Sequence, residues 1–319
     1  MNQEILVDII SPVNGNLPIR FESDKIIFSD AEVYPVIDGT PVLIHEDAGL
    51  FRLKDIIDNA PTTQSAHHND IKNFKNYFRK KVLPSLTRDK YFTQRYQWLG
   101  MVTTGKVLVL GAGDKIAYYK SMFPHCTVIT SDVHRQFKPD IIFDAHNISF
   151  KNNTFNLVIA AQVLEHTMQP WVVASEIQRV LKPLGMAHIE TPVNFPYHAH
   201  PYDFYRFTYT GLRSLFDKCN VQKSFVTEGN ANSVAVMNSE LLINFFSNKY
   251  LRRIALFTAR ILFGWIKYLD ADTKDGIKNI RRLAIPKGIG FSFQFDGIQR
   301  TPKELLDEYY EVTGRHKGL

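Results

Sequence analysis

Thiols are almost missing from this sequence: Cys126 and Cys219 are its only cysteines. With so few, neither a disulfide framework nor a thiolate zinc site can be assembled from the chain alone. Long apolar runs are scarce too. The most hydrophobic stretch, 254–266, is interrupted by Arg260 and falls short of the roughly 20 residues that a membrane-spanning helix needs. The opening MNQEILVDII carries acids in place of a basic leader and lacks an apolar core of signal-peptide length, so a cytoplasmic location is expected. Low-complexity tracts and internal repeats are also lacking, and hydrophobic residues at 45% with charged residues at 22% exclude global disorder.

What is present suits two domains. At 319 residues the chain can bury a full α/β core and still carry an appendage. The net charge of +6 is concentrated in two basic runs, one from Lys72 to Arg95 and one from Lys249 to Lys287. Each admits a polyanionic partner, and each also fits a solvated helix face.

Residues 1–48 read as a small β module, with Asp38-Gly39 as a hairpin signal. Its ending, with Tyr34, Pro35, Asp38, Gly39, Pro41 and Leu43, resembles that of zinc-ribbon-like regions found at the N-terminus of some methyltransferases. The knuckle positions hold Ser11, Asn14, Ser29 and Glu32 rather than cysteines, so no structural metal is expected. Ile5, Val7, Ile9, Val36, Ile37, Val42 and Ile44 are expected to pack against the next domain. Residues 49–100 form a linker and N-terminal helices, with polar composition around His67-His68 and a helix break at Pro84. A lone histidine pair in a polar linker is usually solvated, and no third ligand stands nearby in sequence.

The stretch Lys106 to Asp114, KVLVLGAGD, reads as a buried strand entering a glycine turn ahead of a helix to Met122. It lacks the third glycine of a dinucleotide fingerprint, so alone it does not name a ligand. Strands are predicted at 127–130, 140–143, 155–160 and 186–190, with a helix over 171–181, the alternation of a doubly wound parallel sheet whose ligands sit at the carboxyl ends of strands. Asp132 and Asp144 stand at two such ends. A carboxylate there can accept from both hydroxyls of a ribose, or it can cap the next helix.

Taken together, GAGD, the acid Asp132, DAHNISF, VLEH and RVLKPLG make residues 106–192 resemble class I S-adenosylmethionine-dependent methyltransferases of the type 11 kind. The resemblance implies a seven-stranded Rossmann-like sheet over 101–300. It implies S-adenosylmethionine as cofactor, bound by Gly111, Ala112, Gly113, Asp132, Val133, Asp144, Ala145, His146 and Gln162. Two positions depart from the family: Val109 stands where an acid is frequent, and Lys115 replaces the usual last glycine.

Beyond the fifth strand, PVNFPYHAHPYDFYRFT resembles a stretch found in a subset of these enzymes. Imidazole is the natural base for a hydroxyl near neutral pH, which makes His198, His200 and His166 the candidate catalytic residues, with Tyr202, Asp203, Tyr205 and Arg206 toward the substrate. The structural alternative pairs Asp203 with Arg206 to pin the following helix, expected near Thr210. Strands over 221–227 and 288–295 complete the sheet around a helical insertion at about 236–284. The arginine-flanked apolar face of that insertion suits a substrate cover, self-association or peripheral membrane contact. Residues 301–319 form a C-terminal helix opened by a capping box at Thr301 and Glu304, with Leu305, Leu306 and Tyr309 as its apolar stripe. The expected function is methyl transfer to a small or glycan-type acceptor at oxygen, with RNA methylation or a non-catalytic partner-binding role as alternatives.

Overall fold

The computed structural model describes residues 3–47, 49–60, 85–270, 277 and 280–313. The expectations for His67, His68, the basic residues 72–81 and the break at Pro84 lie outside the described residues. The N-terminal part contains a short helix, α1 (Gln3–Leu6), and four strands, β1 (Arg20–Phe21), β2 (Lys25–Ser29), β3 (Glu32–Ile37) and β4 (Thr40–Leu43). The strands pair antiparallel in chain order. Asp38 and Gly39 both adopt left-handed backbone (φ 51° and 81°), as a two-residue hairpin between β3 and β4 requires.

The expected packing residues of this part divide. Ile5, Ile9, Val36, Val42 and Ile44 are buried, whereas Val7 is 67% exposed. Val7 lies in the turn after α1, from which Asp8 reaches back to pair with Lys106. Three of the four knuckle positions, Ser11, Asn14 and Glu32, join in hydrogen bonds. The buried Ser11 hydroxyl donates to Glu32 and accepts from the amides of Val13 and Asn14 at 3.0 and 3.2 Å. The Asn14 side-chain amide donates to the other Glu32 oxygen at 3.2 Å.

The remaining elements are α2 (Leu53–Ile57), α3 (Phe92–Val102), β5 (Gly105–Leu110), α4 (Ile116–Met122), β6 (Cys126–Ser131), β7 (Ile142–Phe143), β8 (Phe155–Ala161), α5 (Pro170–Val180) and β9 (Leu181–Pro192). They continue with α6 (Tyr209–Ser214), β10 (Cys219–Glu228), α7 (Asn230–Asn244), α8 (Lys249–Phe263), β11 (Gly288–Phe295) and α9 (Pro302–Thr313). The main sheet runs β10-β11-β9-β8-β5-β6. β6, β5, β8 and β9 are parallel, and β11 lies antiparallel between β9 and β10.

β5 shows why the sheet is covered on both faces. Val107 and Val109 enter a layer with Tyr96, Leu99 and Tyr119 from α3 and α4, while Leu108 and Leu110 enter a layer with Val173, Ala174 and Ile177 from α5. Near-continuous aliphatics are the signature of a strand buried on two sides.

The seventh strand differs from expectation. Only Ile142 and Phe143 form β7, joined to β6 by a single bridge from Ser131 to Ile141. Asp140, expected to begin this strand, turns its carboxylate back to accept from the amide and hydroxyl of Thr130 at 3.0 and 2.7 Å. On its other side β7 pairs parallel with β4, Val42 to Ile142 and Leu43 to Phe143. The N-terminal strands and β7 thus form a second sheet, which meets the edge of the main sheet at that one bridge.

One further boundary shifts. The helical insertion opens at Asn230, directly after β10, instead of near 236. Asp270 holds that start, accepting from the amides of Gly229 and Ala231 at 3.0 and 2.6 Å. In α9 the capping box forms as expected, with Thr301 N donating to Glu304 at 2.7 Å. Leu306, however, is 51% exposed, because α9 is fixed to α6 by Glu308 on Arg213 and by Tyr309 on Tyr209. Among the described residues no helix is long and apolar enough to cross a membrane.

The Ser11–Glu32 network makes the module's stability depend on one carboxylate. Glu32→Ala is expected to lower stability by about 1–3 kcal/mol, since it leaves the buried Ser11 hydroxyl without its acceptor. A urea midpoint equal to that of the wild type would show that the network holds nothing.

Candidate active site

The glycine turn follows β5. Gly111 and Gly113 adopt left-handed backbone, with φ of 59° and 54°. A Cβ at Gly111 would meet Val163 Cγ2 at 2.8 Å, so that glycine is required by close approach of the β8 loop. At Gly113 a Cβ would meet nothing within 4 Å, which leaves open space beside its backbone. Ala112 between them is buried, with its amide donating to Ser131 O at 3.0 Å. Asp132, at the end of β6, accepts from Gly113 N at 2.9 Å through Oδ2 and from His134 N at 2.8 Å through Oδ1. Of the two departing positions, Val109 is fully buried in the core, and Lys115 places its ammonium 5.1 Å from the centre of the Phe92 ring.

Above the turn lies a cavity of about 320 Å³, within the range of small-ligand sites. Gly111, Gly113, Asp132, Val133, Asp144, Ala145, His146 and Gln162 all line it, and Ala112 does not. Leu110, Phe137, Phe143 and Val163 supply apolar wall. Gln162 holds a left-handed backbone (φ 61°) unusual for a side-chain-bearing residue, with its amide donating to Glu190 O at 2.8 Å. Leu50 and Phe51 close the cavity from the linker. Leu50 N donates to Asp144 Oδ2 at 3.1 Å, while His146 N donates to Asp144 Oδ1 at 2.9 Å. Burial raises the Asp144 pKa, but these bonds and the His146 ring outweigh it and lower the group below its ordinary value.

The donors and shape fit S-adenosylmethionine. An acid at the end of β6 suits ribose hydroxyls, an apolar slot beside Asp144 suits a purine, and an unobstructed left-handed glycine lets a ligand approach the turn.

A second group of side chains meets at the cavity edge. Glu165 and His166 lie on the turn after β8, and His198 lies on the loop after β9. His166 lines the cavity, and its ring centre is 4.9 Å from that of His198. His166 Nδ1 donates to Tyr202 O at 2.5 Å, which leaves Nε2 as the lone-pair nitrogen. Burial lowers the pKa of both histidines and so favours neutral rings. Glu165 is fully buried, neither carboxylate oxygen has a hydrogen-bond partner, and burial pushes the group up to about 8. A buried polar group without partners ordinarily costs about 1–3 kcal/mol or more.

The remaining expected residues organise the loop. Asp203 takes a bidentate pair with Arg206 at 2.6 and 2.8 Å and accepts from His198 N at 2.8 Å. Burial works against the Asp203 charge, yet the Arg206 bonds overcome it and hold its pKa at about 2. Arg206 also donates to the carbonyls of Phe195 and Pro196, so the expected Asp203–Arg206 pair forms but ties down the loop, whereas the helix after it is capped by Thr208, which accepts from Gly211 N. Tyr202 meets Phe51 ring to ring at 5.7 Å, and Tyr205 donates to Met168 O at 3.1 Å. His200 stacks on Tyr197 and, like His198, does not line the cavity. Sequence reading passed over Glu165 as a mere landmark in VLEH, and it did not single out Leu50 or Phe51 within the linker. The acid in the former was visible; only the fold reveals that it is buried without a partner.

Residues 111–189 match a family model described as "Methyltransferase domain". No curated protein resembles the chain closely enough in sequence to count as a relative. Several solved structures resemble the chain at low identity. A candidate sarcosine dimethylglycine methyltransferase from Galdieria sulphuraria is 17% identical over 66% of this chain and 86% of that one, with a TM-score of 0.42. A SAM dependent methyltransferase from Archaeoglobus fulgidus is 16% identical over 70% and 100%, at 0.43. Phosphoethanolamine N-methyltransferase 2 from Haemonchus contortus, solved with phosphomonomethylethanolamine and S-adenosylhomocysteine, is 13% identical over 77% and 60%, at 0.42.

Asp144 gives the cavity an acid dependence of known sign. Its folded pKa is depressed, so its stabilising contribution is present above the unfolded value of about 3.9 and is lost as pH falls through the lower folded value. Urea midpoints measured from neutral to acid pH are expected to fall less steeply in Asp144→Asn than in the wild type. Equal slopes would remove Asp144 from the acid transition.

Proposed function

We propose that this class I methyltransferase transfers a methyl group from S-adenosylmethionine to an oxygen of a small-molecule or glycan-type acceptor. The observation that carries this reading is the placement of His166, a half-buried imidazole whose lowered pKa favours the neutral ring and whose Nδ1 bond leaves Nε2 free, at the edge of the cavity built on the glycine turn. When bound, the cofactor supplies an electrophilic methyl carbon on a sulfonium.

The chain's own residues do the rest. Asp132 accepts from the ribose hydroxyls, the loop at Asp144, Ala145 and His146 holds the adenine, and the backbone at Gly111 and Gly113 admits the methionine end. Gln162 and Val133 complete the wall. Leu50 and Phe51 exclude water from the cavity, and most of the acceleration comes from holding the acceptor in line with the methyl. His166 takes the acceptor proton at Nε2, with His198 beside it. Tyr202, Asp203, Tyr205 and Arg206 fix the loop that sets the position of His198, and His200 stands outside this group. Burial of both imidazoles supports an acceptor hydroxyl, because a neutral ring can remove a proton at physiological pH.

Calorimetry with S-adenosylmethionine tests the cofactor half. Asp132→Ala is expected to raise Kd by about 10- to 100-fold, the worth of charge-assisted hydrogen bonds. No binding by the wild type at millimolar cofactor would sink the reading. Transfer of labelled methyl into fractionated extracts tests the acceptor: label in small or glycan fractions is expected, and label confined to RNA would replace the proposed acceptor class.

A further inference from the structure

The cluster at the cavity edge carries more than a candidate base. Glu165, His166 and His198 each offer a ligand atom, and these atoms lie within 4.8 Å of one another. We infer that these three side chains bind a divalent transition-metal ion through the Glu165 carboxylate and the Nε2 atoms of both histidines.

Three observations support the site independently. First, Glu165 is fully buried, and neither of its oxygens meets a hydrogen-bond donor, although its Oε1 lies 3.8 Å from His166 Nε2. A buried carboxylate stripped of donors is the group that a cation satisfies. Second, both imidazoles are oriented through Nδ1. His166 Nδ1 donates to Tyr202 O at 2.5 Å, which leaves its Nε2 free; His198 Nδ1 lies 3.2 Å from Asp203 Oδ2, 3.2 Å from Pro196 O and 3.3 Å from the donor Arg206 Nη2, so its tautomer is set only when an ion takes Nε2. A metal-bound histidine characteristically hands its other ring nitrogen to a carboxylate or carbonyl in this way, which fixes the tautomer. Third, Asp203 is itself held by Arg206 at 2.6 Å, so it serves as a fixed partner for His198 and not as a competing ligand.

The topology explains the convergence. β8 and β9 are parallel neighbours, with Ala161 beside Glu190, so the turn after one and the loop after the other leave the sheet on the same edge. The backbone amides of Phe204 and Tyr205 then donate to Glu165 O at 2.8 and 3.2 Å and bind loop to turn.

Two imidazoles and one carboxylate, with positions left over for other ligands, are a donor set used by zinc and by other first-row ions. Ligand distances of about 2.0–2.2 Å around a tetrahedral ion put donor atoms roughly 3.4–3.6 Å apart, so side chains now within 4.8 Å of one another close by up to about 1.3 Å on binding. The sequence expectation of no metal rested on missing thiolates, and this site uses none. Because His166 also lines the cavity, an ion here stands where an acceptor oxygen could complete its coordination, and it would then replace the free Nε2 of His166 as the group that activates that oxygen. That last role rests on the proposed function; binding of the ion does not.

The test uses the full chain, stripped with chelator and kept free of S-adenosylmethionine, titrated by calorimetry with zinc chloride and, separately, manganese chloride. One equivalent is expected to bind, with affinity reduced about 100-fold or more in His166→Ala, His198→Ala and Glu165→Gln. Glu165→Gln keeps the shape of the buried side chain, and retained circular dichroism and cofactor binding establish that each variant is folded. Failure of both ions to bind stoichiometrically at millimolar concentration, or wild-type affinity in folded Glu165→Gln and both histidine variants, would overturn the site. Either result leaves the methyltransferase reading standing with His166 as base, and a failure to bind cofactor would leave the metal titration intact.

Discussion

Parallel strand direction is the constraint on which the cleft depends. β5, β6, β8 and β9 run the same way, so their carboxyl ends open on one edge of the sheet. From that edge β5 delivers the glycine turn, β6 delivers Asp132, β8 delivers Gln162 through His166, and β9 leads to the loop with His198. Residues distant in sequence meet because hydrogen-bond register between neighbouring strands fixes where each one stops. The bond from Gly113 N to Asp132 at 2.9 Å joins two of these strand ends and sets the glycine turn against β6.

Charge is handled differently on the two sides of this edge. Asp132, Asp144 and Asp203 each accept from backbone amides, and Asp203 adds a guanidinium. Their positions are therefore determined by the protein whether or not a ligand is present, which is what preorganised binding requires. Glu165 is built on the opposite plan: it is as deeply buried as any of them and is given no donor. The contrast between satisfied and unsatisfied carboxylates within one cleft separates groups that support from the group that awaits a partner.

Much of the fold was legible. Aliphatic runs ending in glycine or an acid gave strands and their order, since a strand buried on both faces must be apolar at every position and must end where the polar groups begin. The capping box at Thr301 and Glu304 and the hairpin at Asp38-Gly39 were legible because each motif contains its own hydrogen-bonding chemistry. Less could be read where tertiary contacts decide. Asp140 looks like a strand residue until Thr130 is seen to claim its carboxylate. Val7 belongs to the aliphatic pattern of its segment, yet the turn toward Lys106 leaves it in solvent. In the HAHPYDFYR segment, residue type suggested equal standing for His198 and His200, but only His198 is brought to His166, through an aspartate and arginine whose partnership no spacing rule specifies.

The junction at β7 bears on how the border of the main sheet is covered. A parallel sheet that stopped at β6 would present a row of unpaired peptide groups, a template on which another chain could add a strand. The bridge from Ser131 to Ile141 covers that row at one point, and from there the second sheet runs through β7, β4, β3 and β2 to β1, which is only two residues long. So short a terminal strand offers little for a foreign strand to grip, and the N-terminal module thereby shields part of a border that the main sheet leaves bare.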